Sequence, residues 1–564
     1  QLWWGHRIPV FYDLQLLKEA VKKDAEQKGI ETEGLKALNQ NESIATLLQI
    51  ALTSLSDELV RTFSIASTDD LAAQEPEKYV QEDDVLDTWF SSGLWPFSTL
   101  GWPEETEDVK TFYPGAVLET GFDILFFWVA RMVMMGTYFM GDSPFKDVYL
   151  HAMVRDSQGR KMSKSLGNTI DPIDVIQGIT LDNLISKTKT YPVPEKILPK
   201  VLKGLEKEYP EGIPSSGADG LRFTLASLSG QGRDIKLSIP RVAGYRAFLN
   251  KIWNATRFAM MRLPNGPIKP LLEIKAHLSL ADRWILSELQ KTIVKANHGM
   301  TSYRFDEVAD GIYQFFWSSF CDWYIELIKS SLSEDAPEQQ KQAAASVLVH
   351  VLDESMRLMH PICPFQSEEI WQKLPGNQER WKALGYAYCA QAPYPQEDNQ
   401  WIDVEANQEM EWVQTAVTLI RNTRQESGLP AQKKVPVHIV MSDEKVLSVF
   451  KSMHTELKRL ALLTELHFET PDKFSTPKYA ATNSASMFDI VIPLDGLIDL
   501  EAEQARLQKE ITKVEKESKG LSGRLNNKKF VDKAPPDVVA QAQEQYNGLQ
   551  EKLARLKSSL ERVS

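Results

Sequence analysis

The C-terminal segment carries the sequence feature that most restricts the fold. A first set of apolar residues there recurs every seven residues, at Leu500, Leu507, Val514 and Leu521, and is joined by Ile511 and Leu525. A break follows at residues 530–537, FVDKAPPD. A second set then alternates steps of three and four: Val539, Ala542, Tyr546, Leu549, Leu553, Leu556, Leu560 and Val563. Because such spacing aligns apolar side chains along one side of a helix, the pattern predicts an antiparallel coiled-coil arm over residues 496–564.

The charge of this arm differs from that of the rest of the chain. The whole sequence has a net charge of −13, which argues against broad, non-specific affinity for nucleic acid. Residues 506–533, however, hold nine basic and four acidic side chains. Spacings of three and four place several of the basic residues on one helical side, as phosphate contacts require: Lys509, Lys513, Lys516, Lys519, Arg524, Lys528 and Lys529. The solvated outer face of any coiled coil is an equally good explanation.

The composition limits the class of protein. A length of 564 residues favours about four domains, and 43% apolar with 25% charged residues is ordinary for a soluble protein. The three cysteines contain no C-x-x-C pair, which predicts a reducing compartment and no cysteine-based zinc site. No charged n-region with an apolar core follows Gln1, so we expect no signal peptide. The apolar stretch 122–140 contains Asp123 and Arg131, which predicts a buried core helix rather than a membrane span.

The first third of the chain contains three segments with different residue patterns. Residues 1–12 are aromatic and extended in character, because Pro9 disfavours a helix. Residues 14–80 look like an amphipathic helical insertion, with an apolar stripe between Ile44 and Leu59. Residues 147–155 then read as a short buried strand that leads into a Gly/Ser-rich loop. Asp171 before Pro172 predicts a helix N-cap, so the order is strand, loop and helix, as in a parallel sheet.

The remainder predicts three further segments before the arm. Residues 181–275 mix loops and helices, and residues 276–425 have a helical period with aromatic side chains on the apolar faces. Residues 426–495 suggest a small α/β unit with a strand at 435–440, a helix at 443–462, and strands at 464–469 and 487–494. The expected fold is therefore multidomain and mainly α with α/β parts.

The strongest chemical signal is the string Lys161-Met162-Ser163-Lys164-Ser165, followed by Leu-Gly-Asn. Two lysines flank a small hydroxyl residue on a loop that follows a strand. Such a loop offers cations and hydroxyl donors to a polyphosphate, and it stabilises charge without a proton-transfer residue. It is not a Walker A loop, because G-x-x-x-x-G-K-[ST] is absent. A solvated basic loop is the usual interpretation of an arbitrary K-x-x-K, but the full string favours a functional loop.

This string resembles the KMSKS signature of the class I aminoacyl-tRNA synthetases, which activate an amino acid with ATP and transfer it to tRNA. The resemblance implies that Lys164 contacts the ATP phosphates and that Lys161, Ser163 and Ser165 support it. Residues 87–103, residues 121–128 and the segment HPICPFQSEEIW at 360–371 resemble the valyl subgroup. An isoleucyl-type enzyme is the weaker alternative, because a coiled-coil arm replaces the zinc-binding tail of that subgroup.

The resemblance also implies roles for two sets of residues. For ATP, Gly121 and Asp123 face the adenosine, with Asp123 on the ribose hydroxyls, while His151 and Met153 line the same cleft. For the amino acid, Trp89, Ile124 and Trp128 form the valine pocket. Ile124 and Trp128 are four residues apart, which places them on one face of an α-helix. Ordinary core packing is the alternative role for the two tryptophans, and a structural role is the alternative for His151.

Two family features are missing from this sequence. The first signature, His-x-Gly-His, is absent: Trp3 stands where its first histidine would be, in the string WWGHRIP. The editing domain is also absent. The resemblance therefore implies a C-terminal portion of such an enzyme, which we expect to be inactive alone. A non-catalytic tRNA-binding module is the competing function class, although such a module has no use for an intact KMSKS loop.

The implied organisation is as follows. Residues 1–180 form the C-terminal half of a Rossmann-like nucleotide-binding domain, 181–275 a stem-contact connector, 276–425 an anticodon-binding helical bundle, 426–495 the small α/β unit and 496–564 the tRNA-binding arm. The expected substrates and partners are tRNA(Val), valine and ATP with Mg²⁺, with no protein-bound metal and no membrane. We expect a cytoplasmic monomer. Candidate anticodon contacts are Tyr303, Arg304 and Phe305.

Overall fold

The structure is a computed structural model that describes residues 5–27, 64–66, 78–82, 84–230, 234–264, 266–430, 432–497, 500–526 and 536–563. The chain divides into two compact units, and we describe each by itself. The first comprises residues 1–153 and 231–234, and the second comprises residues 154–230 and 235–564.

The first unit begins with a small antiparallel sheet. Strand β1 (Val10–Asp13) lies between β2 (Ser64–Ala66) and β3 (Tyr79–Gln81). Helix α1 (Leu14–Gln27) follows β1 directly, and the Asp13 carboxylate accepts hydrogen bonds from the backbone of its first turn. The extended character predicted near the start is confirmed at β1, whereas β2 and β3 were not predicted. The predicted stripe at residues 44–59 lies outside the described residues.

The second part of this unit holds a parallel strand pair, as the predicted strand–loop–helix order requires. Helices α2 (Thr88–Ser98) and α3 (Glu107–Phe112) precede β4 (Gly115–Gly121), which pairs in parallel with β5 (Phe145–His151). Between these strands, residues 122–140 are helical in three successive forms. A 3₁₀ turn (Phe122–Ile124) leads into a π turn (Leu125–Val129) and then into α4 (Ala130–Met140).

The structure corrects two burial predictions here. Residues 122–140 form the one described helical stretch long and apolar enough, by length and composition, to cross a membrane, and only 22% of its most apolar window is buried. It is therefore not a buried core helix in this structure: Phe126 and Tyr138 are 75% and 81% exposed. The predicted buried strand is also largely exposed, with Val148 and Leu150 among its open side chains. Too few elements cover these surfaces within the described part of the unit.

The second unit starts with the short parallel pair β6 (Val154–Arg155) and β7 (Ile235–Lys236). Four helices lie between them in sequence: α5 (Pro172–Gln177), α6 (Leu181–Lys189), α7 (Leu198–Glu208) and α8 (Gly217–Leu228). The predicted start of α5 is confirmed, because the Asp171 side chain caps it by accepting from the amide of Ile173. Val175, Leu184, Ile213 and Leu221 join one buried apolar cluster under these helices.

A large helical region follows, as the aromatic-rich period predicts. Its elements in order are α9 (Ile239–Met260), α10 (Leu271–Ile274), α11 (Leu280–Thr301), α12 (Phe305–Gln314), a π-helix (Phe315–Tyr324), α13 (Ile325–Leu327), α14 (Glu338–Met359), α15 (Pro364–Lys373), α16 (Asn377–Ala383) and α17 (Val404–Glu426). Their apolar faces share one core, in which Trp284, Phe316, Phe320 and Trp371 are fully buried or nearly so.

The predicted small α/β unit is present with one strand more than expected. Strands β8 (Val435–Val440) and β9 (Leu463–Glu469) pair in parallel through two short helices, α18 (Glu444–Ser452) and α19 (His454–Leu460). Strands β10 (Ala480–Ser484) and β11 (Asp489–Pro493) complete the sheet in the order β10-β11-β8-β9. The sequence analysis missed β10, because its polar residues AATNS lack an apolar run.

Two long helices end the chain, α20 (Leu500–Leu525) and α21 (Pro536–Val563). Leu507, Ile511 and Val514 are buried, as the apolar repeat predicts, and Ser518 is a buried polar member of the same row. Gln550 donates a 2.7 Å hydrogen bond to the Ser518 hydroxyl. Lys552 and Lys557 form ion pairs with Glu510 and Glu515, so the side chains of the two helices meet over several turns.

Candidate active-site loop and RNA-binding surfaces

The loop that carries Lys161 to Ser165 is fixed by a buried carboxylate at its base. Asp156 accepts hydrogen bonds from the Arg160 amide at 2.7 Å, the Arg160 guanidinium at 2.8 Å and the Asn168 amide nitrogen at 2.9 Å. Burial opposes ionisation of Asp156, but the hydrogen bonds from Asn168 and Arg160 outweigh it, and its pKa is lowered. The Asp156 carboxylate therefore joins the start of the loop to Asn168 at its end.

Asn168 bonds the backbone of two signature residues, Lys161 and Ser163. Its side-chain oxygen accepts from the Ser163 amide at 3.0 Å, and its amide nitrogen donates to the Lys161 carbonyl at 3.2 Å. Ser163 then caps a 3₁₀ turn over Lys164–Leu166, and its hydroxyl lies 2.7 Å from that of Ser165. The loop thus holds its backbone by internal bonds, while the side chains of Lys161 and Lys164 are exposed.

Two further contacts hold the far end of the loop. Gly167 adopts φ +66°, and a Cβ there would approach Val201 to 2.7 Å and Val193 to 3.2 Å, so only glycine fits this turn. The Lys164 ammonium lies 5.8 Å from the centroid of the Tyr191 ring, at cation–π distance. Tyr191 is a contact of the signature lysine that sequence reasoning missed, because it lies 27 positions along the chain in a different segment.

The helix after the loop is anchored by charge. Lys187 of α6 donates at 2.7 Å to both Asp171 and Asp174 at the start of α5. The hydrogen bond from Lys187, with that from the Ile173 amide, lowers the pKa of Asp171. Burial opposes the charged form of Lys187, but its two carboxylate partners raise its pKa. Since the pairs keep α5 and α6 together, the loop is attached to a two-helix base.

Four predicted ATP-binding residues meet in the first unit, where β4 and β5 end side by side. Gly121 and His151 are directly opposite each other in the parallel register. A Cβ on Gly121 would lie 2.8 Å from a carboxylate oxygen of Asp123, 3.1 Å from the Met153 sulfur and 3.7 Å from the His151 ring. The His151 ring also lies 3.7 Å from the Glu119 carboxylate. The carboxyl ends of adjacent parallel strands are where α/β sheets bind ligands.

The three predicted valine-pocket residues lie around the 3₁₀–π segment. Trp89 stacks on Phe127, with ring centroids 6.1 Å apart, and Trp128 donates to the Ser92 carbonyl at 3.3 Å. Both tryptophans and Ile124 are half-buried. The prediction that Ile124 and Trp128 share one face of an α-helix is wrong, because Ile124 ends a 3₁₀ turn and Trp128 lies in a π turn. Single π turns inside helices occur frequently at functional sites.

The described basic residues of the arm are exposed. Lys509, Lys513, Lys516, Lys519 and Arg524 all have open side chains, whereas Lys528 and Lys529 lie outside the described residues. At about 100° per residue, the first three point away from the buried row of Leu507, Ile511 and Val514. The basic face is therefore the outer face of the helix.

The three candidate anticodon contacts are less open than predicted. Tyr303 and Phe305 are half-buried and lie edge to face, and Arg304 pairs with Asp306 at 2.9 Å and with Glu307 at 3.0 Å. A nearby cleft of about 620 Å³ offers more exposed aromatic surface. Its lining includes Arg241, Tyr245, Tyr313 and Trp317. Tyr313 and Trp317 stack at an angle of 10°, and Lys251 lies 3.7 Å from the centroid of the Trp317 ring.

Three known protein families match successive parts of the chain. Residues 1–238 match the family described as class I tRNA synthetases (I, L, M and V), and residues 282–439 match the anticodon-binding domain of tRNA ligases. Residues 499–564 match the tRNA-binding arm of valyl-tRNA synthetases. These three matches place the chain in the class I aminoacyl-tRNA synthetases, of which it carries a part.

Individual relatives indicate the subgroup of synthetases to which the chain is similar. The chain is 40% identical to the valine–tRNA ligase of Coxiella burnetii over 99% of its own length and 56% of the relative's. It is 38% identical to the valine–tRNA ligase of Francisella tularensis over 98% of its length and 55% of the relative's. The chain belongs to the valyl-tRNA synthetase family. It spans about half the length of the curated relatives that it matches.

Proposed function

We propose that this chain supplies the KMSKS half of the active site, the anticodon-binding region and the tRNA-binding arm of a valine–tRNA ligase. The observation that carries this proposal is the loop Lys161–Ser165, whose backbone is held by Asp156 and Asn168 while both lysines remain exposed. A pure RNA-binding module gains nothing from such a loop. We retain the five-segment division and the cytoplasmic location of the sequence analysis as parts of this proposal.

The loop fits the first step of the reaction. The carboxylate of valine attacks the α-phosphorus of ATP, which enters with Mg²⁺, and pyrophosphate leaves. Negative charge grows on the departing group, so a cation placed there stabilises the transition state more than the ground state. Lys164 and Lys161 supply that charge, and the Ser163 and Ser165 hydroxyls supply hydrogen bonds. No side chain of this loop has to accept a proton.

The strand ends of the first unit fit the nucleoside. Gly121 leaves room for close approach, because any larger residue would collide with Asp123 and Met153. An exposed carboxylate such as Asp123 can accept hydrogen bonds from two ribose hydroxyls. His151 and Met153 then border the adenine, and Trp89, Ile124 and Trp128 form the walls of the amino-acid pocket. Rigid aromatic walls exclude a larger side chain but reject an isosteric one poorly, a limit for which valyl-tRNA synthetase is itself the standard example.

Two separate surfaces contact the tRNA in this proposal: one positions it on the protein and the other recognises its anticodon. The outward lysines Lys509, Lys513 and Lys516, with Lys519 and Arg524, suit phosphate contacts that do not depend on base sequence. The cleft with Tyr245, Tyr313 and Trp317 suits stacking of an unpaired base, which is how proteins read single-stranded RNA loops. We therefore assign the anticodon to the cleft region, together with the neighbouring Tyr303 and Phe305.

The catalytic part is tested by valine-dependent pyrophosphate exchange. The chain alone should show no exchange. Joined behind the preceding region of the Coxiella burnetii relative, it should be active, and Lys164→Ala should lower kcat by roughly 100-fold or more with little change in the KM for valine. Lys189→Ala, which changes an exposed lysine at the end of α6, is the matched control. Equal activity of Lys164→Ala and Lys189→Ala would refute the assigned role of Lys164.

A further inference from the structure

Three potential metal ligands meet in the helical region of the second unit. His360 follows α14, Glu368 lies on α15, and Cys389 begins a 3₁₀ turn (Cys389–Gln391). One ligand atom from each side chain lies within 4.8 Å of the other two. Because the three residues come from separate elements, with spacings of 8 and 21 positions, no short sequence motif reveals them.

The hydrogen bonds of His360 fix which nitrogen carries a lone pair. Its Nδ1 lies 2.8 Å from the Ser367 hydroxyl, and that hydroxyl donates to the Pro364 carbonyl at 3.3 Å. Ser367 therefore accepts the Nδ1 proton, which leaves Nε2 unprotonated. A histidine ligand held by a hydrogen bond from its other nitrogen is the usual arrangement at protein metal sites.

Glu368 is held in a similar way. Its Oε1 accepts from the Gln372 side chain at 2.7 Å and from the Cys389 amide at 3.1 Å. Within the described chain no side chain donates to its Oε2, so this oxygen keeps its lone pairs. The Cys389 sulfur is buried, and the described residues offer it no hydrogen bond. Each of the three side chains thus has one available ligand atom and a neighbouring backbone or side-chain contact that orients it.

We propose that His360, Glu368 and Cys389 form a zinc site with a water molecule as the fourth ligand. One nitrogen, one oxygen and one thiolate sulfur suit Zn²⁺, whereas Mg²⁺ and Ca²⁺ require oxygen ligands. Tetrahedral Zn²⁺ places its ligands roughly 3.5 Å apart. The longest separation must therefore shorten by about 1 Å, which small side-chain rotations supply. Binding releases the Cys389 proton and joins α15 to the turn at Cys389.

The site is tested by metal titration of the 564-residue chain after removal of bound metal with a chelator. Added Co²⁺ should bind at one equivalent and produce a thiolate-to-cobalt charge-transfer absorption, which Zn²⁺ then removes by displacement. Cys389→Ser and His360→Gln should abolish this absorption. Ser367→Ala keeps all three ligands but removes the hydroxyl that contacts His360 and Pro364, and it should weaken Zn²⁺ binding by about 10- to 100-fold.

Cys321→Ser is the matched control, because Cys321 is also a free and largely protected cysteine but lies in the π-helix. This variant should keep the cobalt absorption unchanged. Far-ultraviolet circular dichroism of every variant separates loss of a ligand from loss of fold, and His360→Gln serves if Cys389→Ser does not fold. The proposal is wrong if the parent chain takes up no stoichiometric Co²⁺ or if Cys389→Ser keeps the absorption.

Discussion

The helical stretch Phe122–Met140 and the π-helix Phe315–Tyr324 are both rich in aromatic residues, yet the structure treats them in opposite ways. Phe126 and Tyr138 of the first stretch are open, whereas Phe316 is 1% exposed and Phe320 is fully buried. Hydropathy therefore does not decide burial in this chain. The number of neighbouring elements does: α9, α11 and α12 pack against the second stretch, whereas among the described elements mainly α2 packs against the first.

The two units also differ in what holds their polar side chains in place. In the first unit, the predicted ATP residues are brought together by backbone geometry, at the ends of two parallel strands. In the second unit, buried polar side chains are also held by dense packing and by networks of side-chain hydrogen bonds. The fully buried Asp353, for example, accepts from Trp371 at 2.7 Å, Trp381 at 2.9 Å and Asn377 at 2.9 Å.

The largest effect is expected at Asp353. Asp353→Ala leaves the buried donors of Trp371, Trp381 and Asn377 without their acceptor and the buried Arg357 without one of its carboxylates. We expect the free energy of unfolding to fall by about 3–5 kcal/mol. Urea unfolding followed by tryptophan fluorescence measures this, with the exposed Asp335→Ala as control. A loss below about 1 kcal/mol would show that packing, and not the network, stabilises the region.

A pair of phenylalanine substitutions tests the burial contrast directly. Phe316→Ala should cost about 3 kcal/mol, because it empties a closed core position. Phe126→Ala should change the free energy of unfolding by no more than about 0.5 kcal/mol, because its ring is already open to solvent. Phe126→Ala should also lower the binding of a hydrophobic dye. Equal losses from the two substitutions would mean that the first stretch is covered in solution.

The helical region should also show a pH dependence that originates at His350. Although His350 keeps a partly accessible edge, burial lowers its pKa from the ordinary 6.5 to about 4. The unfolded chain then binds a proton that the folded chain does not, so this stability is complete above pH 6.5 and is lost as the pH falls toward 4. The loss is at most about 3 kcal/mol. Unfolding of His350→Phe at pH 7 and pH 5 should show a smaller decrease than the parent; equal decreases would exclude His350 as the source.

Local chemistry made much of the fold predictable. Asp171 before Pro172 marks a helix start because the carboxylate caps the first turn, and the structure has that cap. The row Leu507, Ile511, Val514 reveals its buried side because an α-helix repeats every 3.6 residues. The strand before the loop was likewise predicted from its local residue pattern. The exposure of this strand could not be predicted, because burial depends on which other elements pack against it, and the local sequence does not show that.

The candidate active site could be predicted only where its residues form a contiguous sequence motif. The string from Lys161 to Ser165 identifies the loop, but the contacts of Asp156 with Asn168 and of Tyr191 with Lys164 join residues that are distant in sequence and form no motif. The spacing of Ile124 and Trp128 led to a wrong prediction, because the inference assumed α-helical geometry where the chain forms a π turn. The cluster of His360, Glu368 and Cys389 was missed because its members are distant in sequence.

The most direct test of the account is the binding of this chain to tRNA, measured by fluorescence anisotropy with valine and isoleucine tRNAs at two salt concentrations. A charge-reversed arm, Lys509→Glu with Lys513→Glu and Lys516→Glu, is the variant, and Lys445→Glu, an exposed lysine outside the arm, is the control. The account predicts tighter binding to valine tRNA, weakened by salt and by the arm variant alone. Equal affinity for both tRNAs, unaffected by the arm variant, would contradict it.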